Sequence, residues 1–97
     1  MRLTRKQEVW ATNELLAMLA NDKQSGGFGL RTSEMQGTPA FHGSNTLSLR
    51  QIARLLRKSG KVQAECCGSG PYRYNQWTLS EQAWDQACND REEFLAA

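Results

Sequence analysis

A chain of 97 residues has room for one small domain, whose core buries about 60 to 65% of the surface exposed on unfolding, and this excludes a two-domain enzyme with an interdomain cleft. An apolar content of 39%, a charged content of 23% and three tryptophans exclude a disordered tail, in which too little surface is buried to offset chain entropy. The formal net charge of +2 conceals a division, because Met1 to Lys61 holds ten Lys or Arg against four acids while Val62 to Ala97 holds two against six.

Thr4-Arg5-Lys6-Gln7 has the spacing of a capping box, in which a hydroxyl and a glutamine each satisfy a free N–H at a helix start. The helix that follows places Val9, Leu16, Leu19 and Ala20 on one face, with Trp10 and Ala17 beside them and Leu15 and Met18 further round. So wide an apolar sector suggests burial on more than one side. Ser25-Gly26-Gly27-Phe28-Gly29 ends the helix as a loop and matches neither phosphate-binding glycine pattern. Between Leu30 and Asn45 one short helix is expected, either from Ser33 to about Gly37 or with Thr38 as cap and Pro39 at its first position. Gly43-Ser44-Asn45 then reads as a turn.

The next element carries the strongest local signals. Ser48 and Gln51 form a capping box, Leu47 and Ile52 a hydrophobic staple, and Gly60 a left-handed stop, which bounds a helix over Leu49 to Ser59. Spacing puts Leu49, Ile52, Ala53 and Leu56 on its buried face and Arg50, Arg54, Arg57 and Lys58 roughly opposite. From Arg50 to Lys61 there are five cations and no acid, a stripe suited to a polyanion if those side chains stand in water.

After Gly60 the period changes to two. Val62 to Cys67 and Tyr72 to Leu79 alternate about the turn Gly68-Ser69-Gly70-Pro71, so a β-hairpin is expected, with Val62 opposite Trp77, Ala64 opposite Asn75 and Glu65 opposite Tyr74. Val62, Trp77 and Leu79 would share the core face, with Arg73 near the tip. Thr78-Leu79-Ser80-Glu81 offers a last capping box, before a helix through the acidic tail on which Trp84, Ala87, Cys88, Arg91, Phe94 and Leu95 recur at helical spacing.

This order of elements resembles the winged helix-turn-helix domains of bacterial and phage regulators. The likeness is carried by Ser48-Leu49-Arg50-Gln51-Ile52-Ala53-Arg54-Leu55-Leu56-Arg57-Lys58-Ser59-Gly60-Lys61-Val62 and by the hairpin exit Trp77-Thr78-Leu79-Ser80. It implies a single, mainly α domain with a β-hairpin wing, its core over about Thr4 to Ser80 and a last helix to about residue 95. The stretch from Ser33 to Ser48 is longer than the family's usual tight turn. The resemblance further implies a recognition helix in the major groove of double-stranded DNA and a wing on the neighbouring backbone. Ser48 caps that helix at the interface, while Arg50, Gln51 and Arg54 on its first turns suit base edges. Arg57, Lys58, Lys61 and Arg73 suit phosphates. A homodimer through the first and last helices is expected by the same likeness.

No catalytic constellation, metal site or cofactor site is expected. Adjacent strand positions send Cys66 and Cys67 to opposite faces, and Cys88 and the lone His42 supply no ligand spacing. His42 has no identifiable nucleophile partner, and the acids of the tail form no catalytic pair. The longest apolar run, Leu15 to Ala20, is far short of the roughly 20 residues that span a bilayer, and no cationic-then-apolar leader opens the chain. With an odd number of cysteines, these features lead us to expect a cytoplasmic protein without membrane contact. The expected function is that of a small sequence-specific transcriptional regulator. The competing expectation is a winged-helix protein-interaction module without DNA binding, favoured by the acidic last helix.

Overall fold

In the computed structural model, which describes residues 2–36 and 46–96 with the side chains of 91–96 excepted, helices pack on one small antiparallel sheet. Helix α1 spans Arg5–Gln24 and opens on the expected box, the Thr4 hydroxyl accepting from the Gln7 N–H at 3.2 Å and the Gln7 amide oxygen accepting from the Thr4 N–H at 2.9 Å. Its buried stripe is Ala11, Leu15 and Leu19, spaced i, i+4, i+8, and not the face centred on Leu16 and Ala20. Val9 is 56% exposed, and Trp10 and Ala17 are exposed as well. The apolar sector is broader than its neighbours can cover, and they close over its Leu15 edge.

The loop after α1 is held by Asp22, whose carboxylate accepts from the Gly29 N–H at 2.9 Å and whose carbonyl accepts from the Gly27 N–H at 2.8 Å. It delivers a strand the sequence does not announce, β1 at Leu30–Arg31, which pairs antiparallel with β3 at Tyr74–Leu79. Two residues are too few for any periodicity. A single 3-10 turn, Thr32–Met35, follows and buries Met35. It is capped two residues earlier than the Ser33 box: the Glu34 carboxylate accepts from the Arg31 N–H at 3.0 Å. The alternative helix at Thr38 and Pro39, the turn at Gly43-Ser44-Asn45, and His42 lie outside the described residues.

Helix α2, Leu49–Ser59, has the expected bounds, box and staple, and Gly60 stops it at φ +69°. Its buried residues are Ile52, Leu55 and Leu56, whereas Leu49 is 45% exposed and Ala53 half-buried. Packing against α1 as well as the sheet turns the helix so that Leu55 replaces Leu49 in the core.

Strand β2, Val62–Cys67, pairs with β3 in the order β1-β3-β2. Val62 faces Leu79, Ala64 faces Trp77 and Glu65 faces Gln76, a register two residues away from the expected one. The cause is the connection. Pro71 sits in a 3-10 turn over Gly70–Tyr72, which takes Tyr72 and Arg73 out of the ladder and starts β3 at Tyr74. Because the slip is even, every side chain keeps its face, and Trp77 and Leu79 remain buried with Val62 packed on them. Helix α3, Glu81–Ala96, is capped by Ser80 rather than Thr78, since Thr78 and Leu79 still belong to β3. The Ser80 hydroxyl accepts from the Ala83 N–H at 3.2 Å, and the Ser80 N–H donates to the Lys61 carbonyl at 2.9 Å, closing the base of the hairpin. Ala83 and Trp84 bring α3 onto the core.

Candidate nucleic-acid interface

Helix α2 presents its cations because its opposite side is filled. With Ile52, Leu55 and Leu56 directed inward, Arg50, Arg54 and Arg57 fall within about 60° of one another on the outer face at 3.6 residues per turn. All three are exposed, and so are Lys58 and Lys61. The basic face expected from spacing therefore exists, and the acidic last helix does not roof it among the described residues.

The side chains differ in what already holds them. An oxygen of Glu8 on α1 lies 3.6 Å from Nη2 of Arg54 and the other lies 3.4 Å from Nζ of Lys58, pairs in which Arg54 and Lys58 remain 60% and 74% exposed. Exposed pairs of this kind contribute about 0.2–1 kcal/mol, so both cations can exchange Glu8 for an external anion. The Arg57 guanidinium lies 5.5 Å from the centre of the Trp77 ring. Ser48 and Gln51 face each other, the Ser48 hydroxyl accepting from the Gln51 N–H at 3.1 Å and Oε1 of Gln51 accepting from the Ser48 N–H at 2.9 Å. The oxygen that would pair with adenine is thus engaged in the cap, which leaves Arg50 and Arg54 as the base-edge groups of the first turns.

Two further groups complete the face. Arg73 is exposed in the hairpin connection beside the exposed Tyr72. Arg31 is the one that spacing misses. Strand β1 sets it beside β3, where its guanidinium lies 3.9 Å from the centre of the Tyr74 ring. No sequence signal marks it, since it depends on a two-residue strand. Arg31, Arg50 and Arg73 line one groove with Leu49, Ala53 and Tyr74. The indole N–H of Trp77 donates to the Thr32 hydroxyl at 2.8 Å and ties the end of β1 to the core beneath that groove.

Cys66 is exposed, Cys67 half-buried with its sulfur 3.6 Å from Oε1 of Gln76, and Cys88 half-buried on α3. Among the described residues no three His, Cys, Asp or Glu side chains gather where a metal ion could be held. No helix among them is long and apolar enough to cross a membrane. Comparison with protein-family models, with curated proteins and with solved structures yields no match.

Proposed function

We propose that the chain is a winged helix-turn-helix protein that binds double-stranded DNA, acting in the cytoplasm as a small sequence-specific regulator without catalysis. The observation that carries the reading is the exposed face of Arg50, Arg54 and Arg57 on α2, set directly opposite the buried Ile52, Leu55 and Leu56. The succession of α1, β1, a helical turn, α2 and a two-stranded hairpin with sheet order β1-β3-β2 is compatible with that layout. A major groove about 12 Å wide admits one helix, and Arg50 and Arg54 are the exposed side chains of its first turns that suit guanine, Arg54 by exchanging its pair with Glu8. Arg57, Lys58, Lys61 and Arg73 serve phosphates on either side. Ser48 and Gln51 contribute by fixing the helix start.

Affinity for a random duplex measured against salt tests the reading, because each phosphate neutralised contributes about 0.9 to the slope of log affinity on log salt. A slope of several is expected. No affinity even at low salt would overturn it in favour of a protein-interaction module, the second reading. That reading is supported by Val9 on α1 and by Phe28, 89% exposed at the tip of the glycine loop. Dimerisation through α1 and α3 belongs to the first reading and is checked by the mass of the protein in solution.

A further inference from the structure

We infer that the groove between β1, the first turn of α2 and the hairpin tip is a binding site for a phosphate ester, with the phosphate on Arg31, Arg50 and Arg73 and the organic part against Leu49 and Ala53. Three arginines from three separate elements line one groove of about 410 Å3, and no acid lines it among the described residues. Glu34, three residues from Arg31, has its carboxylate on the Arg31 N–H. Like charges gathered without a counter-charge repel one another, and a bound anion removes that repulsion. Arg31 is already oriented by its stacking on Tyr74 at 3.9 Å, which lowers the entropy lost when it grips a ligand.

Leu49 separates an ester from a bare anion. The cap and staple of α2 are made by Ser48, Gln51, Leu47 and Ile52, so the start of the helix does not require Leu49, yet a leucine 45% exposed stands in the groove beside the arginines. A sugar or another apolar body attached to the phosphate would cover it. The volume lies within the range of about 300–1,000 Å3 typical of small-molecule sites and exceeds what inorganic phosphate fills. One nucleotide of a nucleic-acid strand and a free nucleotide share this chemistry.

The test is a titration of the isotopically labelled full chain with thymidine 5′-monophosphate, and separately with inorganic phosphate, at constant ionic strength. It reads the amide resonances of Arg31, Ala53 and Asn75, all of which line the groove. Saturable shifts are expected with the nucleotide, weakened at least about fivefold by Arg31→Gln and by Arg73→Gln. Leu49→Ser is expected to weaken the nucleotide but not inorganic phosphate. Arg73 lies in an exposed connection, so its variant keeps the fold, which the remaining resonances verify. The proposal is overturned if these amides do not respond, if Arg73→Gln binds like the parent, or if nucleotide and inorganic phosphate bind alike whatever residue 49 is. Adding a short random duplex identifies the source. Displacement of the nucleotide by the duplex assigns the groove to a strand, and a duplex that binds alongside it, or not at all, assigns it to a free nucleotide. A groove that takes the nucleotide in a chain without duplex affinity would refute the proposed function and leave this site standing.

Discussion

The carboxylate of Glu8 and the guanidinium of Arg54 stand 3.6 Å apart across the α1–α2 contact, so the recognition surface proposed for α2 carries its own internal anion. A phosphate or base edge approaching Arg54 competes with that carboxylate, and Lys58 shares the same acid at 3.4 Å. Glu8→Gln is expected to raise duplex affinity by about 1.5- to 5-fold, which corresponds to the 0.2–1 kcal/mol of an exposed pair. Fluorescence anisotropy at fixed salt measures it. Weaker binding by the variant would show that Glu8 orients Arg54 rather than competing for it.

Arg50 and Arg54 are exposed and support no part of the core, so replacing both by alanine should lower duplex affinity at least tenfold. The free energy of urea unfolding should change by no more than about 1 kcal/mol, the upper value of the pair with Glu8. Equal affinity of parent and double variant in a retardation assay would remove α2 from the interface.

The Thr32 hydroxyl accepts the hydrogen bond of the buried Trp77 indole N–H at 2.8 Å. Thr32→Val keeps the shape and deletes the acceptor, leaving a buried N–H unsatisfied, so a loss of about 1–3 kcal/mol is expected in urea unfolding. Because Arg31 precedes Thr32 in the chain, the loss of its stacking on Tyr74 should appear in the same variant as a change in the Tyr74 ring resonances.

Two glycines should respond unequally to alanine. Gly60, at φ +69°, has open space where a Cβ would stand, and Gly60→Ala should cost about 1 kcal/mol through backbone strain alone. Gly29, at φ +117°, would place a Cβ 2.7 Å from the Trp77 carbonyl and 2.8 Å from Cγ2 of Thr78. Gly29→Ala should therefore cost about 2–4 kcal/mol, since the strain adds to a clash where β1 approaches β3. Paired denaturation curves check the order, and equal losses would contradict it.

What could be read from the sequence follows the range over which each signal acts. The start of α2 was legible because Ser48, Gln51, Leu47 and Ile52 lie within six residues and each reports on the same boundary. The outward direction of Arg50, Arg54 and Arg57 followed from it. Which residue would seal the inner face did not follow, because Leu49 and Leu55 both fit the helical period and only the neighbouring α1 selects Leu55. The hairpin faces were legible through alternation, while its register depended on a 3-10 turn around Pro71 that alternation does not encode. Arg31 entered the site through pairing with a strand more than forty residues away, an interaction with no local trace.

Arg57 lies over Trp77, an indole with 0% exposure. If a phosphate draws that guanidinium away, the lid over a dry chromophore opens, and its emission should shift to the red as water reaches the ring. With Trp10 and Trp84 replaced by phenylalanine, the protein would become its own optical sensor of occupancy, needing neither dye nor labelled oligonucleotide.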